Sequence, residues 1–140
     1  MSRVFWDTNL FIYLLEEYGP LSERVINLRK SMLRRRDELV TSTITLGEVL
    51  VHPTLNNRPD IAMMYEQKIA QGARLIPFDV DAARIFAAIR CDKFIRPPDA
   101  IQLACAAQAR CDLFITNDDR LSGKIVPGIQ FVTSLQRAPL

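Results

Sequence analysis

The chain of 140 residues is poor in several residue types on which particular protein classes depend. Its three cysteines, Cys91, Cys105 and Cys111, are odd in number and lack C-x-x-C spacing, which favours buried, reduced thiols over a disulfide framework or a structural zinc site. With His52 as its single histidine, the chain also lacks a cluster of imidazole ligands. No apolar run approaches the ~20 residues of a membrane span, and the start "MSRVFWD" does not have the pattern of a signal peptide. We therefore expect a cytoplasmic protein without a membrane segment.

The overall composition is that of one folded domain. Hydrophobic residues make up 49% and charged residues 24% of the chain, which excludes a disordered polypeptide. No repeat, linker or low-complexity tract divides it, so we expect a single domain over residues 1–140, with a loose tail from about residue 134. The net charge of +2 is too small to define a nucleic-acid binder, so such a function has to depend on local clusters.

Short β-branched or apolar segments alternate with amphipathic ones along the chain. The pattern predicts strands at residues 3–7, 39–43, 73–78, 111–116 and 129–133, and helices at residues 9–18, 21–38, 45–51, 60–71, 79–93 and 97–110. We expect the third helix to stop before His52 and Pro53, because the residue ahead of a proline avoids helical geometry. The alternation predicts an α/β fold in which a mostly parallel sheet of about five strands is covered by helices on both faces.

Three of four notable acidic residues fall just beyond the carboxyl end of a predicted strand, and the fourth, Asp99, opens a helix. Asp7 ends the first strand, Glu48 lies in the helix after the second, Asp99 opens the helix after Pro97 and Pro98, and Asp118 follows the fourth strand. Each alone has a structural explanation as a helix-capping or turn residue. The carboxyl ends of parallel strands share one edge of the sheet, where ligands bind in such folds. The four carboxylates are therefore candidates for one site.

If the four carboxylates lie close together, a nearby positive charge has to offset their mutual repulsion. Like charges at short range raise one another's pKa, and a divalent cation relieves that repulsion. Oxygen ligands without histidine or cysteine suit the hard ions Mg²⁺ and Mn²⁺, and a phosphodiester is a natural substrate for a metal-activated water. The residue types indicate this chemistry, but the sequence alone does not establish that they meet.

Four segments of the chain carry a resemblance to a known family. "WDTN", "TSTITLGEVLVHP", "IRPPDAIQLACA" and "LFITNDDRL" occur in this order over nearly the whole chain and together resemble the PIN-domain family, most closely its VapC-type ribonuclease toxins. The resemblance implies a three-layer α/β/α sandwich and a Mg²⁺- or Mn²⁺-dependent endoribonuclease. It also implies the toxin role in a type II toxin–antitoxin system, with RNA as substrate, a small antitoxin as partner and a homodimer as assembly.

The resemblance also implies roles for individual residues. Asp7, Glu48, Asp99 and Asp118 correspond to the catalytic acids, and the three aspartates among them correspond to metal ligands. Supporting positions are Asn9, Thr116 and Asp119, of which Asp119 directly follows Asp118 and is its competitor for the role of fourth acid.

Four arginines are candidates for contacts with RNA, and two other functions are considered. The candidates for binding RNA phosphates are Arg34 and Arg35, in the basic segment "RKSMLRRR", and Arg96 and Arg120, beside the acids.

An aspartyl-phosphate enzyme of the haloacid-dehalogenase type is disfavoured because position 9 is Asn9 where that pattern has a second aspartate. The main alternative is a non-catalytic module with the same fold that binds RNA or protein.

Overall fold

Five parallel strands form the centre of the protein in the computed structural model, which describes residues 1–140. The strands are β1 (Arg3–Trp6), β2 (Glu38–Ser42), β3 (Arg74–Ile76), β4 (Leu113–Thr116) and β5 (Phe131–Ser134). Their order across the sheet is β3-β2-β1-β4-β5, and every neighbouring pair is parallel. The chain fills the sheet outward in both directions from β1, so the order reverses between β1 and β4, which is where ligands bind in such sheets.

Helices cover both faces of this sheet. They are α1 (Thr8–Leu15), α2 (Pro20–Arg35), α3 (Thr43–Leu55), α4 (Pro59–Gly72), α5 (Val80–Ile89) and α6 (Pro97–Gln108). Alternate residues of β1 enter different cores: Phe5 packs with residues of α5 and α6, whereas Val4 and Trp6 pack with residues of α1 to α4. The structure confirms the predicted α/β/α sandwich with a parallel sheet of five strands. No helix is long and apolar enough to cross a membrane.

Four predicted helix ends are wrong. The first helix ends at Leu15 and not at residue 18, and the fifth ends at Ile89 and not at residue 93. The second helix ends at Arg35, since Arg36 adopts the left-handed conformation with φ of 60° and caps the helix end. The third helix continues past Pro53 to Leu55. Proline removes only one helical hydrogen bond there, and the next turn still forms, with the Asn56 amide donating to the His52 carbonyl at 3.1 Å.

The last residues of the chain lie against the body of the protein, although the sequence suggested a loose tail from about residue 134. Ser134 belongs to β5, and Leu135 is only 3% exposed, with its amide donating to the Thr116 carbonyl at 2.8 Å. Ala138 and Leu140 pack against the apolar core that contains Trp6. Burial of these apolar side chains stabilises the packed position of the segment.

The structure agrees only in part with the prediction of buried, reduced cysteines. All three are free, and Cys105 and Cys111 are buried, but Cys91 is exposed. Burial raises the pKa of Cys105 to about 11 and that of Cys111 to about 12, so both remain protonated thiols at neutral pH.

Gly128 is required by the close approach of the loop before β5 to α6. Its φ is +97°, and a Cβ there would lie 3.0 Å from the Ala107 carbonyl oxygen and 3.1 Å from the Ala107 Cβ. We expect Gly128→Ala to lower the free energy of unfolding by about 2–3 kcal/mol, from backbone strain plus overpacking. The matched control is Gly123→Ala, where φ is +82° but the space is open, so that strain alone should cost about 1 kcal/mol. Urea unfolding measures both, and equal losses would show that contact with Ala107 does not matter.

Candidate functional site

Asp7 is the most enclosed carboxylate at the carboxyl edge of the sheet. It follows the central strand β1 and caps α1, with Oδ1 accepting from the Thr8 amide at 2.9 Å. The Thr116 hydroxyl, at the end of β4, donates to Oδ2 at 2.7 Å. The residue is only 9% exposed. Donors from two neighbouring strand ends therefore fix this carboxylate where the strand order reverses.

Glu48 joins the same site through Thr8. The Thr8 hydroxyl donates to Oε1 of Glu48 at 2.7 Å, although the two residues are 40 positions apart. Glu48 lies on α3, which begins directly after β2, so the strand beside β1 delivers it to this edge. The resemblance singled out Asn9, and not Thr8, as a supporting position. The structure gives Thr8 the direct contact with an acid, whereas Asn9 accepts from the Asn117 amide at 3.4 Å.

Gln102 is a functional candidate that the sequence reasoning missed. It is 2% exposed, and its Nε2 donates to Oδ1 of Asp7 at 3.2 Å, to the Thr8 hydroxyl at 3.1 Å and to the Thr45 hydroxyl at 2.7 Å. Its Oε1 accepts from the Ser42 hydroxyl. A single buried amide thus contacts Asp7 and the residue that holds Glu48. Its spacing from Asp99 could have identified it as a site residue, because residues three positions apart lie on the same face of a helix.

Asp99 lies in the first turn of α6 and is partly buried. Its burial, followed by repulsion from Asp7 and from Asp118, raises the pKa of its carboxyl group. Arg120 and Arg96 act on the Asp99 pKa in the opposite direction. The charges of three acids distant in sequence therefore influence one another, as expected for residues gathered at one edge.

Asp118 stands at the end of the site beyond β4. Its amide donates to the Thr116 hydroxyl at 3.1 Å, and its Oδ1 accepts from Nε of Arg120 at 2.9 Å. The hydrogen bond from Arg120 lowers the pKa of the Asp118 carboxyl, against a smaller opposing effect of burial. Asp119 is exposed, and its carboxylate makes no hydrogen bond or ion pair. Of the two candidates for the fourth acid, Asp118 is the one in contact with the rest of the site.

The carboxylates border an open cleft. Asp7, Glu48 and Asp99 line a cavity of about 220 Å³ together with Thr8, Asn9, Ile12, Pro98 and Gln102. Asp118 is not among the lining residues, and no three His, Cys, Asp or Glu side chains stand close enough together to hold a metal ion by themselves. Mg²⁺ usually takes only one or two carboxylates and completes its shell with water and phosphate oxygens. The oxygen-only donor set therefore fits Mg²⁺ or Mn²⁺ in an open arrangement, with substrate or water supplying further ligands.

The four candidate arginines fall into two groups. Arg96 precedes the first turn of α6, and Arg120 pairs with Asp118, so both lie at the edge that carries the acids. Arg34 and Arg35 lie at the end of α2, just before β2 begins, which is the amino edge of the sheet. There Arg35 pairs with Asp37 at 3.0 Å. The structure thus brings only Arg96 and Arg120 to the carboxylates.

Comparison with known proteins gives one family and several similar structures. A family model described as "PIN domain" matches residues 4–124. No curated protein matches the chain. Among solved structures, VapBC2 from Rickettsia felis, bound to a DNA fragment from its promoter, has a TM-score of 0.75 at 13% identity and covers 94% of this chain and 98% of its own.

Two further structures share the fold. A toxin–antitoxin complex from Klebsiella pneumoniae has a TM-score of 0.66 at 24% identity, over 90% of this chain and 94% of its own. VapBC-5 from Mycobacterium tuberculosis has a TM-score of 0.61 at 20% identity, over 96% and 99% of the two chains. Identities this low establish a common fold and nothing finer.

Proposed function

Because the chain belongs to the PIN domain family, we propose that it is a metal-dependent endoribonuclease and the toxin of a type II toxin–antitoxin pair. The observation that carries the proposal is the cleft lined by Asp7, Glu48 and Asp99 at the point where the strand order reverses. An acidic, open cleft suits a phosphodiester only when a cation is present, because phosphate and carboxylates repel each other.

Each residue of the site has a distinct proposed role. Asp7 and Asp99 are the proposed Mg²⁺ or Mn²⁺ ligands, with Asp118 as a third at the open end. When bound, the metal supplies a water of lowered pKa and stabilises negative charge on the phosphate in the transition state. Thr116 and Gln102 orient Asp7, and Thr8 holds Glu48 toward the cleft, where its exposed carboxylate can accept a proton from the attacking water. Arg96 and Arg120 provide positive charge for the RNA backbone.

A small protein partner is part of the proposal. The Klebsiella pneumoniae structure is described as a toxin–antitoxin complex, and the similar structures from Rickettsia felis and Mycobacterium tuberculosis belong to VapBC systems. These likenesses support an antitoxin for this chain as well. The expected homodimer and the cytoplasmic location stay predictions.

A non-catalytic RNA- or protein-binding module is the second candidate. It is favoured by the lack of three carboxylates already close enough to hold an ion. The two candidates differ in one property, since only the nuclease needs the metal for a chemical step.

Metal dependence and the choice of fourth acid are tested together. We expect the purified protein to cleave single-stranded RNA with Mg²⁺ or Mn²⁺ and to stop when EDTA is added. Asp118→Asn should lower the rate by about 10–100-fold, since it removes the proposed third metal ligand, whereas Asp119→Asn should cleave like wild type. Gel analysis of labelled RNA measures these rates. RNA that is bound but uncut at every metal concentration would overturn the nuclease and favour the binding module.

A further inference from the structure

Phe94 is a large aromatic side chain left almost entirely in water. It is 88% exposed, in the loop of residues 90–96 that joins α5 to α6. A phenylalanine gains about 2 kcal/mol from burial, so exposure of nearly the whole ring gives up a stabilising contribution. The other apolar residue of the loop, Ile95, is 3% exposed and belongs to the core. The loop thus directs Phe94 outward and the next residue, Ile95, inward.

The loop that carries Phe94 is held by several hydrogen bonds. Asp92 accepts from the Phe94 amide at 3.0 Å, and the Ile95 amide donates to the Asp92 carbonyl at 3.1 Å. Nη1 of Arg90 donates to the Ile95 carbonyl at 2.7 Å. The ring is therefore displayed on a fixed support, which lowers the entropy lost when a ligand binds to it.

A cation is fixed beside the ring. Nζ of Lys124 lies 5.8 Å from the centre of the Phe94 ring and pairs with Asp92 at 3.0 Å. Asp92 therefore holds both the backbone of Phe94 and the ammonium group of Lys124. An aromatic surface with an adjacent cation is the combination that binds a base together with its phosphate.

This aromatic surface lies at the same end of the molecule as the acids. Gln108, at the end of α6, donates to Asp79, at the start of α5, so the two helices run antiparallel. The loop between them consequently lies at the end of α6 that carries Asp99. On the other side, Lys124 follows Asp118 and Arg120 in the loop after β4. The Lys124–Asp92 pair thus joins the loop that carries Asp118 to the loop that leads into the first turn of α6, where Asp99 lies.

We propose that Phe94 is a stacking platform for an unpaired base of a single-stranded RNA whose backbone passes Lys124, Arg96 and Arg120 into the acidic cleft. The proposal rests on the proposed function and adds a base-binding residue to it. A base in a duplex is stacked on its neighbours and paired, so its face is not free to cover the ring. An unpaired base is therefore what the Phe94 ring would recognise in the RNA.

The test separates binding from cleavage by using the full chain with Asp99→Asn as parent. Binding of a fluorescently labelled single-stranded RNA of mixed sequence is compared with binding of the same strand annealed to its complement. We expect Phe94→Ala to weaken single-strand binding about tenfold, with duplex binding unchanged, and Phe94→Trp to keep it within about twofold. The matched control is Phe131→Ala, because Phe131 is also exposed, at 63%, but begins β5 at the opposite edge of the sheet.

Several results would overturn the platform. Phe94→Ala could bind single strands as tightly as the parent, or lose affinity for single strands and duplex equally, or behave no differently from Phe94→Trp. Sedimentation in the same buffer tests whether Phe94 instead contacts a second copy of the chain. If Phe94→Ala converts a dimer to monomers without changing RNA affinity, Phe94 belongs to an interface between copies. If the wild-type chain cleaves no RNA but binds single strands through Phe94, the nuclease proposal fails and the platform remains an RNA-binding site.

Discussion

Asp99→Asn is expected to reduce RNA cleavage by about 10³-fold or more and at the same time to make the folded chain more stable. The loss of cleavage follows from its proposed role, because a neutral amide is a poor ligand for a hard divalent cation and removes charge needed in the transition state. The gain in stability follows from an observed property of the site. Burial and the nearby charges of Asp7 and Asp118 raise the pKa of Asp99, so the fold disfavours its ionised form.

The stability effect has a definite pH dependence. A carboxyl group whose pKa is raised by folding stabilises the native state at acid pH, below its unfolded value of about 3.9. That stabilisation is lost as the pH rises through the raised pKa of the folded state. Asparagine does not titrate, so the advantage of the variant should grow from acid pH and level off near neutrality. Because Asp99 is only partly buried, we expect a gain below about 1 kcal/mol, or a few degrees in Tm.

Asp7→Asn is the matched variant at the other proposed metal ligand, and it should lose cleavage while becoming less stable. Through its carbonyl oxygen, asparagine can still cap α1 and accept from Gln102, but its amide nitrogen replaces Oδ2 and cannot accept from the Thr116 hydroxyl. One buried donor is left without an acceptor, which costs about 1–2 kcal/mol. Thermal melts of the two variants without added metal, with RNA cleavage measured in parallel, give the comparison. Equal destabilisation by both would show that repulsion at Asp99 is unimportant.

The fold was predictable because its signals are local. Apolar, β-branched segments such as Val4–Trp6 alternate with helical patterns, and chain geometry then requires a parallel sheet with helices on both faces. The same rule placed Asp7, Glu48 and Asp118 beyond strand ends at one edge. The structure puts Asp7 and Glu48 on one cleft, where Asp99 joins them from the first turn of α6, whereas Asp118 does not line it. Arg34 and Arg35 could have been assigned correctly too, since a helix that ends just before a strand must end at the amino edge.

The contacts of Gln102 could not be read from the sequence. Its partners lie between 57 and 95 residues away, so their proximity depends on how α6 packs against β1 and β2. Within α6 it stands among buried apolar residues, where periodicity assigns it to the core without identifying its partners. The exposure of Phe94 is a similar case. Sequence patterns do not tell an aromatic residue that packs inward from one that a loop turns toward solvent.

Gln102→Met is expected to lower kcat for RNA cleavage by about 10–100-fold while KM changes less than about twofold. Methionine keeps the length and apolar stem of glutamine but removes the amide that contacts Asp7, Thr8, Thr45 and Ser42. Residues that orient metal ligands typically contribute this much to activity or metal affinity. Mn²⁺ affinity, measured by calorimetry without RNA, should fall about tenfold for the same reason. The unsatisfied hydroxyl groups should also lower the free energy of unfolding by about 2 kcal/mol.

Gln108→Met separates positioning from simple loss of stability. Gln108 lies on the same helix and also donates from its amide to an aspartate, Asp79, at 2.7 Å, but at the far end of α6 from the acids. Both variants lose an amide-to-carboxylate hydrogen bond, and only Gln102→Met loses one to Asp7. Assayed well below their melting temperatures, Gln108→Met should keep the kcat and the Mn²⁺ affinity of wild type. If Gln102→Met keeps them as well while its stability falls, the buried amide serves the fold alone, and Asp7 holds its geometry through the Thr8 amide and the Thr116 hydroxyl.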